Sequence, residues 1–507
     1  MPLNGRFLLG IILAATLPLR AADDYQPGPD SKPQEGVPKG ELTKYIFDKS
    51  RIFPGTTRDY WIYVPQQYDP AQPACLYVNQ DGVQYQAPTV FDNLIAKHEM
   101  PVTIGVFIMH GRVKADSTKA LDRFNRSYEY DGMGDDYARF LLEEILPEVE
   151  TKRASDGRPI HFSTNGNDRA IGGSSSGAIC AFTAAWERPD SFRRVFTCVG
   201  TFVDQRGGND YPALVRKIEA KPLRVFLQDG TADLNMCGGN WHLANEEMLS
   251  ALEFSGYEVN HIWGDGGHNG KQATAIFPDV MRWLWKDWPK PVEAGVNSWQ
   301  PLAKILIPGA EWEAVNANEA GAVAPKLAHK IECAAYNGNI YTAESAKQKI
   351  WLKAQGRKKK VVDTGIAFSG GLCLSPDQSL LMASDPHSQF VYSFHINLDG
   401  TLADRQPYHY LQVPNGVLES GASGMAVDKK GNLYVATLLG IQVCDQAGRV
   451  QGIISPPAGV TLSSAYFGGP DFNQLFTDDG RQIYRRKLKV TGAPPFRAPV
   501  KPTPPPL

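Results

Sequence analysis

Gly173-Ser174-Ser175-Ser176-Gly177 matches the pattern Gly-x-Ser-x-Gly. In that pattern the central serine sits on a sharp strand-to-helix bend, and the glycines leave its hydroxyl exposed. A serine hydroxyl is a weak nucleophile until a base takes its proton, and an imidazole does this best when an acid fixes its tautomer. Along the chain the expected order is serine, acid, histidine. Asp233, in Asp229-Gly-Thr-Ala-Asp233, supplies the acid, and His268, in Gly266-Gly-His-Asn-Gly270, supplies the base. Asp229 is the alternative acid, although an Asp-Gly pair is also a turn former. Such a set performs acyl transfer: attack on an ester carbonyl, an acyl-enzyme, and release by water. Donors must hold the oxyanion. The Ser176 N–H, at a helix start, is one, and a backbone N–H around Gly82, in Asn79-Gln-Asp-Gly-Val83, is the candidate for the second. Trp241, His242 and Tyr128 are candidates for a pocket that takes an aromatic or sugar group, or else ordinary packing.

These groups need strands that end beside them. Residues 169–172 read as a short strand before the serine and 178–186 as the helix after it. The apolar run 223–228 feeds the Asp233 loop, and 257–263 feeds the His268 loop. Catalytic groups of open α/β sheets gather beyond the C-terminal strand ends. Further strands are expected at 58–64, 74–78 and 102–108, and helices at 137–146 and 245–253. This alternation over 42–288 predicts a parallel sheet with helices on both faces. Residues 289–311, with several Pro and Gly, read as a linker. Over 312–491 helical periodicity fades, and a turn-then-strand unit recurs at 336–342, 375–382, 428–435 and 469–476. That spacing suits the blades of a β-propeller, about four of them. Residues 22–41 read as a flexible leader and 492–507 as a Pro-rich tail.

At 507 residues the chain is too long for one ordinary core. A formal net charge of −2 gives no reason to expect a nucleic-acid partner. Arg6, the apolar stretch 7–19 and small residues before Ala22 form a signal-peptide pattern over 1–21. The stretch is shorter than the roughly 20 residues a membrane span needs, so a secreted or periplasmic protein with no membrane span is expected. The seven cysteines are odd in number and show no CxxC spacing, which argues against both a zinc ribbon and a disulfide scaffold. One or two bridges stay open.

Residues 42–288 resemble the esterase family that includes enterochelin esterase and esterase D. The likeness rests on 79–82, 125–130, 173–177, 186–190, 228–233 and 266–268. It implies an α/β-hydrolase fold, ester hydrolysis, and a triad at Ser175, Asp233 and His268. Feruloyl and acetyl-xylan esterases share that fold, so the acyl and alcohol groups stay open. Residues 312–491 resemble the gluconolactonase and regucalcin family, a six-bladed propeller, through 368–377, 423–428, 431–435 and 468–471. The resemblance implies a divalent metal held by a Glu, an Asn and an Asp. This chain has Gly370 where the Asn is expected and Ser423 where the Asp is expected, losing two oxygen ligands.

The expectation is a secreted serine carboxylic ester hydrolase that needs no cofactor or metal. Its substrate would be a small-molecule or carbohydrate ester of feruloyl, acetyl or siderophore type. Two other readings are a metal-dependent sugar lactonase in the propeller and a non-catalytic secreted carbohydrate-binding protein.

Overall fold

A computed structural model describes residues 24–316, 331–344, 347–365, 370–457 and 459–505. The expected signal peptide, 1–21, lies outside the described residues. The N-terminal unit is built on an eight-stranded sheet. Its strands are β1 (Glu41–Phe47), β2 (Arg58–Val64), β3 (Cys75–Gln80), β4 (Thr103–Ile108), β5 (Arg169–Ser174), β6 (Arg194–Cys198), β7 (Arg224–Gly230) and β8 (Glu258–Gly264). They lie in the order 1-2-4-3-5-6-7-8. β1 and β2 are antiparallel to their neighbours; from β4 to β8 all pairings are parallel.

Period-two alternation sorts the side chains onto two faces. Ile62, Val78, Ile104, Val106, Ile171, Val195 and Val225 form an aliphatic face, which packs in one cluster with Phe140, Leu141 and Ile145 and with Ile179 and Phe182. The opposite face is aromatic. Tyr63, Tyr77, Phe107, Phe196 and Phe226 meet helix α1 (Ala87–Ala96) and a long C-terminal helix (Lys271–Trp285) through Phe91 and Phe277. Helices therefore cover both faces, and the bends carrying Ser175, Asp233 and His268 all leave the same end of the sheet.

Among the described residues the C-terminal unit forms four four-stranded antiparallel sheets. The recurring units of the sequence fall at one structural position. Each turn, 335–339, 375–379, 428–432 and 469–473, joins the first two strands of a blade. The last blade takes its outermost strand, Glu313–Val315, from the beginning of the unit, paired with Ile483–Lys487. This ties the two ends of the unit together.

The two units share an interface. Ile218 pairs with Ile453 as an isolated parallel bridge, and Glu219 N–H donates to Ile453 O at 3.1 Å. Arg486 of the last blade donates to both oxygens of Glu219, at 2.6 and 2.8 Å. Leu302, in the turn Pro301–Lys304 of the connecting segment, lies against Gly452, where a Cβ would meet its Cγ at 2.5 Å. All seven cysteines are free, and Cys237 alone is exposed. No described helix is long and apolar enough to cross a membrane.

Candidate active site

Ser175 joins β5 to helix α2 (Ser176–Glu187), at φ 58° and ψ −123°. Few non-glycine residues adopt such a backbone, and the neighbours hold it there. Ser175 N–H donates to Cys198 O at 2.9 Å. A Cβ on Gly173 would lie 2.5 Å from Gly177 O, and one on Gly177 would lie 3.1 Å from Gln80 Cβ. Close backbone approach therefore requires the first glycine, and the second sits tightly against the Gln80 and Asp81 side chains. Tyr85 OH and Ser174 Oγ are 2.6 Å apart, and Arg126 clamps Asp81 while donating to Ser174 O at 3.2 Å.

His268 Nε2 lies 2.8 Å from Ser175 Oγ, and His268 Nδ1 lies 2.7 Å from Asp233 Oδ1. Leu234 N–H also donates to Asp233 Oδ1, at 2.6 Å. Burial favours the neutral form of Asp233, but the hydrogen bonds from His268, Asp229 and Leu234 N–H together outweigh it and hold the carboxyl below its ordinary range. The acid and base loops lock against each other. Thr231 N–H donates to Gly264 O at 2.9 Å, Ala232 N–H to Gly266 O at 3.1 Å, and a Cβ on Gly230 would collide with Gly266 O. Thr201 Oγ1, just past β6, is 3.3 Å from Ser175 Oγ and accepts from Trp241 Nε1 at 3.2 Å.

Asp229, the alternative acid, lies behind Asp233. Its Oδ1 accepts from Gly230 N–H at 2.7 Å, and its side chain is fully buried. Burial first, and the adjacent Asp233 second, raise its pKa to about 9. Among the described residues no hydrogen bond joins it to His268, and the imidazole faces Asp233.

Ser176 occupies the first position of α2, where its N–H has no intrahelical acceptor. Gly82 N–H, in contrast, donates to Ile108 O at 3.1 Å and is unavailable to an oxyanion. The next N–H, that of Val83, has no partner among the described residues. A cavity of about 460 Å3 opens beside Ser175 and His268, lined by Gln84, Tyr85, Val199, Asn269, Lys271 and Thr274. None of Trp241, His242 and Tyr128 lines it. Trp241 is 2% exposed and packs edge-on to His268 at 5.9 Å, a wall behind the base. His242 sits against Asp229 and Trp263. Tyr128 is 60% exposed and lies under the Arg206 guanidinium. Sequence reasoning missed Thr201, Tyr85 and Gln84. For Thr201 a signal existed, its place just after a strand's C-terminal end, but it required reading Arg194–Cys198 as a strand.

In the propeller, the positions expected to bind metal do not fit one. A Cβ at Gly370 would collide with Ala422 O and Ser384 Oγ, so the backbone itself leaves no room for a ligand side chain. Ser423 Oγ donates to Ala436 O at 3.3 Å, and its carbonyl accepts from Ser384 Oγ at 2.9 Å. Among the described residues no group of three His, Cys, Asp or Glu gathers as a cation would need.

A scaffold of this kind, with serine, histidine and aspartate at one end of a mixed sheet, defines a hydrolase-type fold. Residues 53–287 match the family described as Putative esterase, and residues 332–477 match the SMP-30/Gluconolactonase/LRE-like region. The chain thus fuses an esterase-family region to an SMP-30-like region. It is 26% identical over 250 residues to the iron(III) enterobactin esterase of Dickeya dadantii, covering 45% of this chain and 51% of that protein. It is 28% identical over 137 residues to the gluconolactonase of Zymomonas mobilis, covering 26% of this chain and 38% of that protein. The chain therefore spans about half or less of the length of these curated relatives. The enterobactin esterase structure from Shigella flexneri with 2,3-dihydroxy-N-benzoyl-serine is 22% identical, with a TM-score of 0.39 over 52% of this chain and 62% of that one.

Proposed function

We propose that this chain is a serine-dependent carboxylic ester hydrolase working through an acyl-enzyme. The observation that carries the reading is the unbroken contact from Ser175 Oγ through His268 to Asp233, at 2.8 and 2.7 Å. Ser175 attacks the ester carbonyl while His268 Nε2 takes its proton. Asp233 holds Nδ1–H and stabilises the imidazolium. The Ser176 N–H, with a second N–H beyond β3, receives the oxyanion. His268 then returns the proton to the departing alcohol, and water, deprotonated by the same imidazole, releases the acid. The family match over 53–287 supports the reaction class. The cavity beside Ser175 suits a small-molecule ester, and the named activity of the Dickeya relative favours a siderophore-type ester over feruloyl, acetyl or sugar esters. The pattern over 1–21 supports export and maturation near Ala22.

Ser175→Ala tests the core of the proposal. It should lower kcat on a p-nitrophenyl ester by at least about 1,000-fold, leave the melting temperature near that of the parent, and end labelling by a fluorophosphonate. A folded Ser175→Ala protein with its esterase activity intact would refute the triad.

A further inference from the structure

Two carboxyl groups four residues apart in the acid loop lie wholly buried behind the imidazole, and each bears on the other's protonation. The side chains of Asp229 and Asp233 are both fully buried. Their Oδ1 atoms are occupied: Asp229 accepts from Gly230 N–H, and Asp233 accepts from His268 and Leu234 N–H. Their Oδ2 atoms are sealed from solvent, and among the described residues neither has a hydrogen-bond partner within the usual distance. Two ionised carboxylates are acceptors only, so contact between them is satisfied only when one carries a proton.

The groups that face the pair come from every adjoining element. His242 on the helix Trp241–Phe254 holds Nδ1 3.8 Å from Asp229 Oδ2, beyond hydrogen-bond reach, and its Nε2 lies 3.6 Å from Glu246. Asn245 on the same helix gives its amide donors to Gly200 O and Trp241 O, and it also bears on Asp229 by favouring the ionised form, a smaller influence than burial or Asp233. Cys198 of β6 is a buried neutral thiol. Gln228 of β7 donates to Gln272. His268 is already engaged with Asp233.

We infer that Asp229 is a positioning residue: a neutral carboxylic acid that donates a hydrogen bond to Asp233 Oδ2 and so turns Oδ1 toward His268. The inference rests on the triad reading above. The donor has two effects. It fixes the carboxylate plane, and it lowers the basicity of Asp233, so that the shared proton stays on the imidazole during turnover. The raised pKa of Asp229 agrees with this arrangement.

The test compares Asp229→Asn, which keeps a donor but cannot ionise, with Asp229→Ala. On a p-nitrophenyl ester Asp229→Ala should lose on the order of 10- to 100-fold in kcat, with KM within about twofold. Asp229→Asn should recover most of that loss. The parent's kcat should fall at alkaline pH as Asp229 ionises, and the Asp229→Asn profile should stay flat there, a difference that a merely structural role would not produce. If Asp229→Ala fails to fold, the two alkaline limbs still decide: superimposed limbs overturn the inference. An equal loss in His242→Gln also overturns it, because it would make Asp229 the anionic partner of an imidazolium. Infrared spectra of the protein at neutral pH separate this inference from the triad reading. The carboxylic-acid C=O stretch should be present in Ser175→Ala and absent once Asp229 is also replaced by Asn, whatever the activity. Its presence in both overturns the assignment to Asp229.

Discussion

At the residue scale, the site is a set of buried polar groups whose partners are almost all accounted for. Ser175, His268 and Asp233 form one line of contacts, Thr201 joins Ser175 to Trp241, and Asp229 closes the far end. The Asp229 carboxyl has a consequence for stability. Its pKa lies higher in the folded chain than in the unfolded one, so over the range between those values the folded state keeps a proton that the unfolded state has released. Stability therefore falls as pH rises from about 4 toward the folded pKa, by up to about 1.4 kcal/mol per pH unit. Asp229→Asn removes this dependence. Denaturant unfolding of both proteins at a series of pH values should show the variant gaining on the parent as pH rises; parallel curves would mean that Asp229 is ionised in the fold. The grouping of Ser175, Asp233 and His268 was legible from residue types because its signals are local: a spaced Gly-x-Ser-x-Gly, then an acid and a histidine in glycine-bearing loops in the right order. Asp229's role was not. An Asp-Gly pair reads as a turn, and only burial beside a second carboxyl changes what it does. The Gly82 N–H was equally illegible, since its acceptor, Ile108 O, comes from the neighbouring strand.

At the element scale, strand ends set the catalytic distances. β5, β7 and β8 deliver the serine, acid and base, and the acid and base loops interlock through backbone hydrogen bonds and the contact at Gly230. Gly230→Ala should force these loops apart. It should reduce kcat by about 10-fold or more while KM changes little, because the cavity wall at Gln84, Tyr85 and Val199 is untouched. A variant with parental kcat would mean that the loops can relax at no cost to the triad. The strands that carry the triad were legible as apolar runs. Four neighbouring elements were not, each for a physical reason. β1 is an edge strand whose Leu42, Thr43, Lys44 and Ile46 all face water, so it shows no buried apolar alternation. β6 opens with Arg194, a charge in an otherwise apolar run, satisfied only in the fold by Asn167 O and Leu284 O. Helix α1 starts after Gln86 at positive φ, and the helix Lys271–Trp285 contains Pro278, which interrupts its pattern.

At the scale of the whole molecule, the propeller is fastened to the hydrolase unit. Glu219 precedes β7 and is held by Arg486 from the last blade, with the Ile218–Ile453 bridge beside it. The Arg486 side chain is nearly buried and the Glu219 side chain is about a quarter exposed, so the pair is only partly screened by water. Arg486→Ala leaves Glu219 without its main cation and should destabilise the chain by about 1–3 kcal/mol. Calorimetry should resolve this as a split of one unfolding transition into two, with the propeller melting first. An unchanged single transition would show that the interface is held without this pair.

The sequence by itself determined the class of chemistry, the order of its residues and the presence of two units, because a nucleophile bend, a period-two strand and a repeated blade turn are all written in neighbouring residues. Tertiary structure alone decided which carboxyl meets the imidazole, which N–H stays free for an oxyanion, that Trp241 stands behind the base instead of in the cavity, and that a side chain at position 370 would strike Ala422 and Ser384. Each of these depends on atoms brought together from distant parts of the chain, where burial and the loss of competing water set protonation, partners and space.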